Sequence, residues 1–127
     1  MDHDASVKAA LDVMQAHIDA LNARDEAALA ATLHFPHFRM SGVALKTWHT
    51  PNTYFADFRA RAGSDWSHSA FEDIRVLRAS EAKVHLDAQI NRYGSDRRLL
   101  TTFRSLWILT QEHGHWAAKF RSSFADR

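Results

Sequence analysis

Residues 81–124, EAKVHLDAQINRYGSDRRLLTTFRSLWILTQEHGHWAAKFRSSF, decide the fold. Apolar and polar side chains alternate here with a period of two, the pattern of strands that have one covered and one open face. Turn-like breaks at Gly94-Ser95-Asp96 and His113-Gly114 divide the stretch into strands over about 82–93, 99–110 and 115–124. A hairpin closed around Ser95-Asp96 sets Val84 opposite Trp107, Ala88 opposite Phe103 and Asp87 opposite Arg104. A second, closed around His113-Gly114, sets Phe120 opposite Trp107, Ser122 opposite Ser105 and Phe124 opposite Phe103. Opposed residues share a face. One face therefore collects Leu86, Ile90, Phe103, Ser105, Trp107, Leu109, Trp116, Phe120, Ser122 and Phe124. The other collects His85, Asp87, Gln89, Arg104, Leu106, Ile108, Arg121 and Ser123. Burying one large apolar side chain contributes about 1.5–3 kcal/mol, so the aromatic face is the one that helices cover.

Outward from this ribbon, residues 71–78 read as a further strand with two open registers. One turns Phe71, Asp73, Arg75 and Leu77 inward, the other Glu72, Ile74, Val76 and Arg78. Either brings charge toward the interior unless a bulge intervenes. Further back the period becomes helical. Val7, Leu11, Met14, Ile18 and Leu21 form one stripe of a helix over about 6–23, with Asp4 or Ser6 as its cap. Asp25 caps a short second helix. Pro36 stops that pattern, and residues 37–42 alternate as a strand that turns at Gly42 into 43–48. Thr50, Pro51 and Gly63 mark the start and end of a third helix, whose stripe is Phe55, Phe58 and Ala62 flanked by Tyr54.

The chain has 127 residues, which is one domain's worth. It has no cysteine, which removes disulfides, thiolate metal sites and cysteine nucleophiles. Its net charge is +1 with no basic block, so no nucleic-acid partner is expected. No apolar run is long enough to span a membrane and no secretory leader is visible, so the expectation is a cytoplasmic protein. Nine histidines make its electrostatics respond between about pH 7 and pH 5.

Helix, short helix, strand, helix and then four antiparallel strands is the order of the cone-shaped α+β roll of the nuclear transport factor two-like superfamily, the cystatin-like arrangement. HIDALNARDEAALAATL (17–33) resembles its first two helices and the Asn-x-x-Asp turn between them. HFPHFRMSG (34–42), DWSHSAFEDIRVLRASEAKVHL (65–86), SLWILT (105–110) and HWAAKFRSSF (115–124) resemble a bacterial branch of small stand-alone proteins. The resemblance implies a curved sheet wrapped over helices, a pocket open at the wide end and a homodimer through the outer face, here Arg104, Leu106, Ile108 and Arg121. Ketosteroid isomerases share this fold and use an oxyanion donor with a carboxylate base. By resemblance, His17 stands where they carry a helix-one tyrosine. Their base would fall in 36–41, which holds no carboxylate.

The expected function is therefore binding of a small, largely apolar organic molecule. It extends either to cofactor-independent lyase or isomerase chemistry with His17 and Asp73 as acid and base, or to a non-catalytic homodimeric module. Tyr54, Phe58, Trp66, Arg75, Ser105, Trp107 and Phe120 are the expected ligand contacts. Asp73 and Arg75 belong to this site only in the first register of their strand. No cofactor is expected. A zinc site at His34 and His37, the least favoured reading, would need both rings to converge and a third ligand, whereas in a strand an i,i+3 pair points to opposite faces. His85 and Asp87 share a face at i,i+2, the spacing of a histidine–carboxylate couple or of a salt-bridged interface.

Overall fold

The structure is a computed structural model that describes residues 3–62 and 65–125, with backbone alone over 59–62. Its elements are α1 (Asp4–Ala23), α2 (Glu26–Ala30), β1 (Leu33–Ser41), β2 (Ala44–Trp48), α3 (Pro51–Ala62), β3 (Trp66–Ala79), β4 (Lys83–Gly94), β5 (Leu99–Glu112) and β6 (His115–Ser123). The strands form one sheet in the order β2-β1-β6-β5-β4-β3, antiparallel except where β1 runs parallel to β6. This is an α+β fold, with the N-terminal helices packed on one face of a mixed sheet. Among the described residues no helix is long and apolar enough to cross a membrane.

α1 buries Ala10, Met14, Ile18 and Leu21 against the sheet, while Leu11 stays 37% exposed. The covered stripe is thus rotated slightly from the one the spacing suggests, toward the small Ala10. Neither expected cap operates. Asp4 is already inside the helix, and Ser6 Oγ donates to the Glu81 carbonyl 2.9 Å away, tying the helix to the β3–β4 turn. Arg24, at φ 55°, ends the helix in the left-handed conformation. The Asp25 carboxylate accepts the Ala28 N–H at 3.0 Å and starts α2. Thr50 and Pro51 open α3 as expected, with the Thr53 N–H 3.4 Å from Thr50 Oγ1. Gly63 and the side chain of Ala62 lie outside the description.

Three departures in the sheet set what faces inward. The β4–β5 turn is closed by the Gly94 N–H donating to the Arg98 carbonyl at 2.9 Å, which encloses Ser95, Asp96 and Arg97, with Arg97 at φ 66°, and the ladder slips by one between Arg92 and Tyr93. The pairing therefore moves by two from the two-residue hairpin: Leu86 meets Trp107, Ala88 meets Ser105 and Ile90 meets Phe103. An even shift leaves every residue on its face.

The β5–β6 ladder slips once more, by one residue. Leu109 pairs with Ala118 but Ile108 pairs with Phe120, so Lys119 is a bulge. Beyond it the faces exchange. Arg121 pairs with Trp107 and Ser123 with Ser105 on the covered side, while Phe120 and Ser122 turn outward and Phe124 is 81% exposed. The expected facing of Phe120, Ser122, Phe124, Arg121 and Ser123 is thereby reversed.

β3 resolves its two registers by using both. Phe71 pairs with Ile90 and Ile74 with Ala88 on the covered side, and the slip between them places Asp73 beside Gln89 and Arg75 beside Asp87 on the outer side. A bulge at Glu72 thus keeps apolar groups inward and charge outward. The core between sheet and helices is built on Met14, Tyr54, Val84, Leu86, Trp107 and Leu109, each at most 2% exposed.

Candidate functional site

A narrow recess opens between α1, α3 and the covered face of the sheet, with an enclosed volume of about 60 Å³. Its apolar walls are Leu21, Tyr54, Phe58, Trp66, Ile90, Phe103 and Trp107. Its polar lining is His17, Arg39, Ser69, Arg92, Arg121 and Ser123. Three arginines thus line it and, among the described residues, no aspartate or glutamate does.

The strand ladders explain this concentration of positive charge. Arg39 on β1 and Arg121 on β6 are direct neighbours in the parallel pair, both turned inward. Arg92 on β4 follows Ile90 by two and keeps its facing, with its guanidinium 4.8 Å from the Phe103 ring. Arg121 lies 5.0 Å from the Trp107 ring and donates through Nη2 to the Tyr54 hydroxyl at 3.0 Å. Arg121 Nε and Trp107 Nε1 are enclosed donors with no acceptor among the described residues.

His17 approaches from α1, 2% exposed and edge-on to Trp107 with ring centroids 5.1 Å apart. Burial, with the Arg121 charge second, lowers its pKa from 6.5 to about 3. His37 lies deeper, stacked on Trp48, with Nδ1 3.1 Å from the Ala118 carbonyl. Burial first and Arg121 second lower its pKa to about 2. Both rings are neutral near pH 7. His17 is therefore no general acid there, contrary to what an unperturbed imidazole would offer.

Of the residues singled out from the sequence, His17, Tyr54, Phe58, Trp66 and Trp107 line the cavity. Ser105 sits behind the wall, its hydroxyl 3.1 Å from that of Ser123, which does line it. Phe120 is excluded by the Lys119 bulge. Asp73 and Arg75 are excluded by the Glu72 bulge. On the outer face Asp73 pairs with Arg75 at 3.0 Å and with Arg104 at 3.5 Å, and Arg104 also pairs with Asp87 at 2.7 Å. The couple of His17 with Asp73 is not assembled, because the two lie on opposite sides of the sheet. His85 and Asp87 stand on the outer face, where Asp87 serves Arg104. His34 Nε2 is 2.8 Å from the Thr110 carbonyl, and no group of three metal-ligating side chains occurs among the described residues.

The sequence pattern does not single out Arg39, Arg92 or Ser69 as site residues. Arg92 carries a usable signal, since it continues the covered parity Val84, Leu86, Ala88 and Ile90. Arg39 carries none, because the alternation of residues 37–42 does not say which half is inward.

No protein-family model and no curated protein matches the sequence. Solved structures do match its shape. An NTF2-like protein from Cytophaga hutchinsonii superposes with a TM-score of 0.74 at 20% identity, covering 98% of this chain and 99% of that one. An NTF-2 like protein of unknown function from Shewanella oneidensis gives 0.77 at 10% identity, covering 93% and 98%. The chain has the nuclear transport factor two-like fold. ActVI-ORFA from Streptomyces coelicolor shares it too, at a TM-score of 0.75 and 15% identity over 96% of this chain and 98% of that one. Identities this low establish the nuclear transport factor two-like architecture and leave the chemistry to the residues of the cavity.

Proposed function

We propose that the protein binds a small, flat, largely apolar organic molecule in the cavity between α1, α3 and the sheet. The observation that carries this reading is one recess whose walls are aromatic and whose polar lining is cationic. Aromatic walls take up apolar area, and a few polar groups orient what enters. The lyase or isomerase form of the reading loses its expected couple, because the Asp73 carboxylate faces away from His17. Binding is the function that remains best supported. Trp66 and Trp107 make the test direct. A ligand entering the cavity shifts their fluorescence and raises the melting temperature, and mass spectrometry of the purified protein identifies any molecule it retains. A protein that retains nothing and responds to no member of a diverse aromatic library overturns the reading.

The same proposal includes a homodimer through the outer sheet face. Supporting it is an apolar band along neighbouring strands. Leu45 pairs with Met40, Phe38 with Phe120, and Phe120 with Ile108, beside Leu106. Compared with the sequence expectation, Leu45, Met40, Phe38 and Phe120 join this face and Arg121 leaves it. Sedimentation at micromolar concentration is expected to give a dimer, and Phe120→Glu a 14.5 kDa species. A wild-type protein that sediments as the smaller species at that concentration overturns it.

A further inference from the structure

Geometry places one proton in the cavity wall. Thr32 Oγ1 lies 2.7 Å from the Leu29 carbonyl oxygen and 2.8 Å from His17 Nδ1. A carbonyl oxygen has no hydrogen to give, so the single hydroxyl hydrogen of Thr32 goes to Leu29. Thr32 Oγ1 can then only accept from His17, and the ring hydrogen of His17 sits on Nδ1. In the neutral imidazole the other nitrogen, Nε2, presents a lone pair. No described residue hydrogen-bonds to His17 Nε2, and His17 lines the cavity. The cavity therefore holds an acceptor at the very place where the superfamily resemblance implies a donor.

Its complement lines the same cavity. The Arg121 guanidinium, 5.0 Å from that ring, gives one hydrogen bond to the Tyr54 hydroxyl and pairs with no carboxylate among the described residues. Arg104, by comparison, is held by two. A partly buried guanidinium attracts an anionic oxygen strongly, since charge-assisted pairs gain as water is excluded.

We infer that the cavity selects flat ligands that carry both an anionic oxygen and a hydroxyl or N–H donor, with Arg121 taking the anion and His17 Nε2 accepting the donor's hydrogen. The chemical class is the hydroxylated aromatic carboxylate, its ring held by the aromatic walls. Thr32 is a positioning residue, acting through His17. The assignment rests on the cavity being a binding site.

Calorimetry with 6-hydroxy-2-naphthoate, 2-naphthoate and 2-naphthol tests it. The bifunctional compound is expected to bind at least tenfold tighter than either of the others. Arg121→Met should remove the advantage of both carboxylates while leaving 2-naphthol unchanged. Thr32→Val should remove the advantage of the hydroxyl while leaving 2-naphthoate unchanged, and Thr32→Ser should restore it. In the wild-type protein, nitrogen-15 NMR of His17 should show the hydrogen on Nδ1. Equal affinity for all three compounds, or a hydrogen on Nε2, overturns the inference and leaves the small-molecule reading standing. Silence from all three compounds also overturns it, and the wider reading is then judged by what the protein retains through purification.

Discussion

Arg104 and Arg121 lie on adjacent strands of one sheet and live in opposite surroundings. On the outer face Arg104 is neutralised by Asp87 and Asp73 within 3.5 Å, inside a network that water reaches. Hydrogen bonding to Asp87, aided by the charges of both carboxylates, raises its pKa further. On the inner face Arg121 has two aromatic rings and a phenol oxygen. The outer face is electrostatically complete as it stands. The inner face concentrates like charge and enclosed donors around open space. Arg104 is already satisfied, whereas the enclosed Arg121 Nε and Trp107 Nε1 are donors to which a ligand can add.

The contrast breaks most visibly at Trp107. Trp107→Ala removes the ring shared by His17, Phe71 and Arg121, and it should cost about 3–5 kcal/mol in denaturant unfolding. A loss below about 1 kcal/mol would mean that this face is not the packed one.

Acid sharpens the contrast next. His17 and His37 have folded pKa values of about 3 and about 2, below the unfolded value of 6.5. As pH falls through 6.5 the unfolded chain takes up these protons and the folded chain does not, so stability falls with pH until about 3. Between pH 7.5 and 5 the expected loss is about 2 kcal/mol for each histidine. His37→Gln should remove its share of that slope. A denaturation midpoint that is flat from pH 7.5 to 5 would place these imidazoles in water.

The smallest effect belongs to the outer network. Arg104→Gln should leave affinity for any cavity ligand unchanged and shift the denaturation midpoint little, because exposed ion pairs contribute weakly and salt screens them. A loss of affinity matching that of Arg121→Met would erase the distinction between the two faces.

Much of this architecture is legible in the residues alone. Alternation along 82–110 places Leu86, Ile90, Phe103 and Trp107 correctly even though the pairing itself moves by two, because parity survives an even shift. The cap at Asp25 and the start of α3 are equally local. Bulges at Glu72 and Lys119 are not legible. A bulge is one unpaired residue whose position depends on what the neighbouring strand and the helices demand, and no side chain announces it. Both bulges change the cavity from its sequence expectation. Asp73 and Arg75 leave it through one bulge, and Phe120 is exchanged for Arg121 through the other. The pocket's apolar walls and Arg92 can be read from periodicity, whereas Arg121 depends on an irregularity.

The Lys119 bulge gives this fold an unusual sensitivity to sequence length. Deleting a single codon there would bring the Arg121 guanidinium out to solvent and swing the Phe120 ring into its place, with no other residue altered. Both the chemical character of the recess and the stickiness of the exterior would change in one step. An insertion or deletion of one residue, rather than a series of point substitutions, is the shortest route by which a scaffold of this kind trades one class of guest for another.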